Sequence, residues 1–320
     1  MARNVLGTYK TSGIPVRQPG ASSFGIVIFA DADNGNDDTT GNAPTNAVAS
    51  VEQAVDQAAI NGVDATIIVR RGFYSPDKVM ALTSSHNGIR IISDNLAPSY
   101  ARKSNIIYNI GGPDDIFTLN GCHNAEIAGF RFYPEFSVAG SSGIKIANTS
   151  SAYGTWVHDN FFYNIEDYIS GTGTGTNIHM GATGDAQYTY INKNVFYHGG
   201  APQGSTVMGQ VTWQKATRAC IDDNIFIMGS NLSTMYSIML MTATNDMPRG
   251  VIINNHFFAA EEDVATVAGY AIYNSEALTG GDFYIANNWS VNYTAAFHGN
   301  VTLDESSGLN YVNETVEASD

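Results

Sequence analysis

The chain has 320 residues, 43% of them hydrophobic, which suits one large domain or two small ones with a buried core and excludes a disordered polymer. Only 14% of residues are charged, and 15 basic against 30 acidic residues give a net charge of -15. That balance excludes a nucleic-acid partner, because most of the surface would repel phosphate, and no apolar run approaches the roughly 18 residues of a membrane-inserted helix. With 32 Gly and 30 Asn, the composition favours short strands and tight turns, since both residues tolerate left-handed backbone.

Met1-Ala2-Arg3-Asn4-Val5-Leu6-Gly7 lacks the basic-then-apolar order of a secretory signal, so synthesis and use without the secretory route are expected. Residues 1–30 read as an extended arm, broken by Gly7, Gly13, Pro15, Pro19 and Gly20. The loop Asp31-Ala32-Asp33-Asn34-Gly35-Asn36-Asp37-Asp38 alternates oxygen ligands, with Asp31, Asp33 and Asp37 as Ca²⁺ candidates, but it lacks the glutamate that closes an EF-hand loop. A solvated turn is the competing reading, and no cofactor is required. Residues 45–61 read as a helix ended by Gly62, whose face of Val48, Val51, Val55 and Ala58 would close the N-terminal end of the strand-rich region beginning at Ala65. Cys122 and Cys220 match no disulfide or zinc pattern and read as buried thiols.

The informative feature is a repeat. Ile127-Ala128-Gly129-Phe130-Arg131-Phe132-Tyr133 is succeeded by Val157 to Tyr163, Ile191 to Tyr197, Ile221 to Ile227, Ile252 to Phe258 and Ile285 to Val291. Anchors at 130, 160, 194, 224, 255 and 288 are separated by 30, 34, 30, 31 and 33 residues, and a weaker copy begins at Ile91. Second strands interleave at Ile116–Leu119, Gly143–Ile146, Asn177–Met180, Thr206–Met208, Ser237–Leu240 and Tyr270–Tyr273. Such a period with no room for a helix predicts an all-β parallel β-helix of about eight coils over residues 31–300, leaving 301–320 as a tail or cap.

Stacking turns residue identities into columns. Ile127, Val157, Ile191, Ile221, Ile252 and Ile285 form an inward β-branched column, and Phe132, Phe162, Phe196, Phe226 and Phe257 an inward aromatic one that ends at Ser290. Asn160, Asn194, Asn224, Asn255 and Asn288 predict a structural ladder of amides at a corner.

The order of an Asp/Asn/Gly-rich loop, a capping helix, Ile67-Ile68-Val69-x-x-Gly72-x-Tyr74 and Asn-x-Phe repeats resembles right-handed β-helix proteins of the pectate-lyase-like superfamily. The resemblance implies the fold; the superfamily includes lyases, hydrolases, epimerases and non-catalytic virus spikes. The Asn-Thr-Asp, Gly-His-Gly and Arg-x-Lys segments of polygalacturonases and the Arg-x-Pro-x-x-Arg of pectate lyases are missing from the sequence.

Catalysis on a coil face needs carboxylates about 5 Å or about 6.5–9.5 Å apart, one or two coils. His158, Asn192 and Asp222, with the neighbouring column Asp159, Lys193 and Asp223, are the candidates. The competing reading is a polar corner with Lys193 neutralising the aspartates. Asp114-Asp115 and Glu166-Asp167 are weaker acidic pairs in turns. Flanking the Phe column, Tyr133, Tyr163, Tyr197, Ile227, Phe258 and Val291 on one side and Arg131, Phe161, Val195, Ile225, His256 and Trp289 on the other should point outward. A patch so apolar needs a cover, and a homotrimer interface is the expectation.

Together these features resemble, in architecture, a trimeric β-helix spike of a tailed bacteriophage. The expected function is a non-catalytic virion surface protein (head decoration or tail spike) made in the host cytoplasm. It would attach to other virion proteins through the arm and contact host polysaccharide. The alternatives are a tailspike-type glycan depolymerase, hydrolase or lyase, and a bacterial polysaccharide-active or adhesive β-helix.

Overall fold

A computed structural model describes residues 9–11, 14–16, 25–61, 64–94, 105–108, 115–134, 141–164, 175–181, 183–198, 208–228, 235–241, 249–259, 271–274, 283–291, 293, 298–299 and 311–313. Among the described residues, three parallel sheets of nine, nine and eight strands wind around one lumen. The first runs from Val27–Ala30 through Glu126–Ala128, Trp156–His158, Tyr190–Asn192, Thr217–Asp222 and Arg249–Ile253 to Phe283–Ala286. The second includes Arg131–Tyr133, Phe161–Asn164, Val195–His198, Ile225–Met228 and His256–Ala259. The third includes Asp115–Leu119, Ser142–Ile146, Thr176–Met180, Met208–Trp213 and Met235–Leu240. Each repeat is therefore two strands joined at the Asn corner, with a third strand before the next repeat.

The count departs from the eight coils expected, because two sheets carry nine strands. Val27–Ala30, read as part of the arm, pairs in register with Thr66–Val69 and opens the first sheet, while Tyr311–Asn313 adds a last strand to the second. The helix is also shorter than expected. It covers Val51–Asn61, with a separate 3-10 turn at Pro44–Asn46. The reason is Val48, whose N–H donates to Phe29 O (2.9 Å) and whose carbonyl accepts from Asp31 N (2.8 Å), so its backbone belongs to a bridge with Ala30. Val51, Ala54, Val55 and Ala58 are buried and face the solenoid end, as a cap requires. Gly62 lies outside the described residues. No helix among the described residues is long and apolar enough to cross a membrane.

The strand expected at Thr206–Met208 instead spans Met208–Trp213, because Val211 is the residue that registers with Ile178 and Ile238 and fills the lumen. Elsewhere the columns hold. Ile127, Val157, Ile191, Ile221 and Ile252 are fully buried, and the rings of Phe132, Phe162, Phe196, Phe226 and Phe257 stack at centroid distances of 4.9, 5.0, 4.7 and 5.0 Å. That spacing is close to the strand-to-strand repeat, so each ring stacks face to face on the one below.

Candidate functional site

At the corner, Asn160, Asn194, Asn224, Asn255 and Asn288 are buried, and each Nδ2 from Asn160 to Asn255 donates to the next Oδ1 at 3.0–3.1 Å. The main-chain N–H of each of those four donates to the same oxygen at 3.0 Å. Every amide also reaches a main-chain carbonyl of the inward β-branched column, as Asn194 does to Val157 O at 2.9 Å. The residue before each ladder Asn is left-handed, as is Gly129 before Phe130 at the equivalent corner: Gly129 at φ 86°, Asp159 at 53°, Lys193 at 55°, Asp223 at 54°, Asn254 at 56° and Asn287 at 54°. Gly, Asn and Asp at five of those six positions are what that backbone favours. The column that holds the candidate Asp159 and Asp223 is thus a turn position, and Lys193 and Asp223 are exposed on it.

One strand earlier, alternation around the inward column sends Glu126, Trp156, Tyr190, Cys220 and Val251 outward, with Ala128, His158, Asn192, Asp222 and Ile253 beside them. His158, Asn192 and Asp222 are in register on three consecutive strands, as the catalytic reading requires. Yet His158 is only 4% exposed and both its nitrogens are engaged, Nδ1 with Asp159 Oδ2 at 2.7 Å and Nε2 with Glu126 Oε1 at 3.1 Å. Glu126 in turn accepts from Arg90 Nε at 2.7 Å. The Trp156 ring stacks on His158 at 3.8 Å, and its Nε1 donates to Asn192 Oδ1 at 2.6 Å. Burial alone would lower the His158 pKa, but the hydrogen bonds to Asp159 and Glu126 outweigh it and hold the imidazole above its ordinary value. Burial would raise Glu126, and the bonds from His158 and Arg90 pull it below the usual carboxylate range.

Asp222 accepts from Tyr190 OH at 2.6 Å and from Asn254 Nδ2 at 2.9 Å. Asp223 is pushed up, first by partial desolvation of its carboxyl against the coil and then by the Asp222 charge beside it. Sequence reasoning missed Arg90, Glu126, Trp156 and Tyr190. The signal was present, since they occupy one repeat position immediately before the β-branched column.

The acidic loop is engaged by the protein itself. Asp31 Oδ2 pairs with Arg70 at 2.8 Å while its Oδ1 accepts from Asp33 N and Asn34 N at 3.1 Å, and Asp37 Oδ1 accepts from Ala49 N and Ser50 N at 2.8 and 2.9 Å, just ahead of the helix. Among the described residues no group of three or more His, Cys, Asp and Glu is placed to hold a metal ion. Asp115 lies on a strand rather than in a turn, bonded to Lys145 Nζ at 3.0 Å and Ser142 N at 2.7 Å; Asp114, Glu166 and Asp167 lie outside the described residues.

On the outside of the second sheet, Tyr133, Tyr163, Tyr197, Ile227 and Phe258 are half-buried within a single chain, and Trp289 is 40% exposed. Phe161 and Val195, expected to be exposed, are buried at 8% and 7%. Phe161 packs against Tyr163 at 5.6 Å under the Arg131 guanidinium, which also stands 4.8 Å from the Tyr133 ring and 5.0 Å from Tyr163.

No protein family or curated protein matches the sequence. Solved structures do match. The pectin methylesterase of Aspergillus niger aligns with a TM-score of 0.56 at 10% identity, over 96% of this chain and 89% of that one. Pectate lyase Pel9A gives 0.56 at 15% identity, over 94% and 79%. The fold is the right-handed parallel β-helix of the pectate-lyase-like type. A tailspike protein of E. coli bacteriophage HK620 also aligns, with a TM-score of 0.37 at 14% identity over 85% and 65%. At these identities the likeness extends to the β-helix fold alone, and the chemistry of this chain rests on its own side chains.

Proposed function

We propose that the chain is a non-catalytic virion surface protein of a tailed bacteriophage, a head-decoration or tail spike. It works as a homotrimer, attaches to neighbouring virion proteins through its N-terminal arm and presents its coil to host glycan. The observation that carries the non-catalytic part is the engagement of the candidate column. His158 has no free ring nitrogen, Asp222 is bonded by Tyr190 and Asn254, and Asp159 and Asp223 sit where the turn needs left-handed backbone. A general acid or base must reach substrate within hydrogen-bond distance, and a buried, doubly bonded imidazole does not. The homotrimer is supported by the half-buried aromatic columns of the second sheet and by Trp289 at their lower end.

The test is incubation of the purified protein with a panel of bacterial surface glycans, read by new reducing ends and by the absorbance of unsaturated products. Silence across the panel with a trimer by sedimentation is the expected result. Chain cleavage that disappears in Asp222→Asn would overturn the reading in favour of a depolymerase. For the interface, Tyr197→Lys with Phe258→Lys should leave the circular dichroism of the coil intact and shift sedimentation to the monomer.

A further inference from the structure

The solenoid has a second left-handed corner, between the third and first sheets. Just ahead of the first sheet's strands stand Asp64, Gly88, Asn124, Gly154, Tyr188 and Arg218, at φ 64°, 77°, 57°, 71°, 54° and 57°. They form one column. The N–H of each from Asp64 to Tyr188 donates to the carbonyl just before its successor, at 2.6–3.1 Å. The first four are residue types that this backbone favours. At Gly88 and Gly154 the room for a side chain is also taken, since a Cβ would stand 2.0 Å from Asp64 Oδ1 and 2.5 Å from Asn124 Oδ1.

Tyr188 and Arg218 break that pattern, placing two large side chains on left-handed backbone in successive coils. They meet each other, the exposed guanidinium 5.4 Å from the ring centre and hydrogen-bonded to the phenol oxygen. The corner itself is satisfied by Gly, Asn or Asp in the coils above. Strain that the fold does not ask for points to the side chains it carries.

The neighbouring positions agree. Tyr153, just before Gly154, is 39% exposed and lies parallel to the His123 ring at 4.8 Å. It pairs in register with Gln187, the residue before Tyr188, in a two-stranded parallel sheet of Ala152–Tyr153 and Ala186–Gln187. Asp185 steadies this shelf, its Oδ2 accepting from Gln187 Nε2 at 2.6 Å and its Oδ1 from Thr217 N at 3.3 Å. Two tyrosines therefore stand on adjacent coils, about 4.8 Å apart along the axis, with an amide and a guanidinium beside them. Such a set suits a sugar, whose C–H face stacks on an aromatic ring while its hydroxyls exchange hydrogen bonds. The net charge of -15 selects a neutral sugar, because an acidic chain would be repelled as phosphate is. This corner does not border the second sheet, so the proposed trimer interface leaves it open.

We infer that the ridge of Tyr153, Gln187, Tyr188 and Arg218 is a binding site for a neutral glycan chain. The inference rests on the reading that the coil contacts host glycan, and it names the face and the class of sugar.

Full-length protein is passed over immobilised dextran, mannan and a neutral O-antigen, with alginate and colominic acid as acidic counterparts, at low and high salt. The wild type should bind a neutral chain equally at both salts. Tyr153→Ala and the double variant Tyr188→Asn/Arg218→Asn should each weaken that binding about tenfold or more. The melting temperature of the double variant should hold or rise, because Asn tolerates left-handed backbone. A double variant that melts lower would overturn the inference, since the pair would then serve the fold. Binding confined to the acidic chains would overturn it as well. A wild type that binds neither set would overturn both this site and the glycan contact it rests on, whereas undiminished binding by the variants would overturn the site alone.

Discussion

Two rows of buried polar side chains run along this solenoid and are treated in opposite ways. At the corner between the first and second sheets, five Asn residues hand a hydrogen bond from coil to coil, with each amide of the row bonded. At the start of the third sheet, register aligns Gly143, Asn177, Gln210 and Ser237. There, among the described residues, fully buried Asn177 finds a partner for neither amide atom, and Gln210 donates to Phe196 O and Ile227 O while its Oε1 finds none. Ser142 Oγ likewise finds no partner among the described residues. The difference is repetition. A column of one residue type offers each amide an identical amide one strand away, donor to acceptor, whereas a column of changing types meets mismatched neighbours. Gly143 belongs to the second row for a steric reason, since a Cβ there would stand 2.8 Å from Asn177 O.

The largest break comes from the aromatic column beside the ladder. Phe196→Ala removes the middle ring of the stack and should cost about 3–5 kcal/mol by chemical denaturation. Asn224→Ala comes next: it leaves Asn194 N and Nδ2 without their shared acceptor and should cost about 2–3 kcal/mol in the same assay. The smallest effect is electrostatic. His158 has its pKa raised in the folded state, so its contribution is full below its ordinary value of 6.5 and is lost as pH rises through the folded value. The charged groups facing it are Glu126, Asp159 and, through Glu126, Arg90. Glu126 is lowered and acts with the opposite sign, its contribution present above its ordinary value of 4.5 and lost as pH falls through the folded one. Melting temperature should therefore decline as pH rises above 6.5, and His158→Gln should flatten that decline.

The solenoid was legible because its columns repeat the same residue every 30 to 34 positions, and period is the strongest signal a single sequence offers. Where a position serves two demands, legibility fails. Val48 matches the helical face but is taken by the bridge to Ala30, which moves the helix start to Val51. Arg90, Glu126 and His158 form one network spaced 36 and 32 apart; Arg90 and Glu126 share a repeat position, but the unlike residue types along it hide the network. The left-handed turn explains why candidate catalytic aspartates fall in register, since the backbone asks for Asp or Asn there whatever the chemistry.

The comparison between the two rows is tested most directly by one pair of variants. Thermal and denaturant unfolding of Asn224→Leu and Asn177→Leu would be measured side by side. Asn224→Leu should be strongly destabilised, because it breaks a satisfied ladder, while Asn177→Leu should be neutral or more stable than wild type, because it removes two orphaned buried groups. An Asn177→Leu protein that loses as much stability as Asn224→Leu would contradict the account.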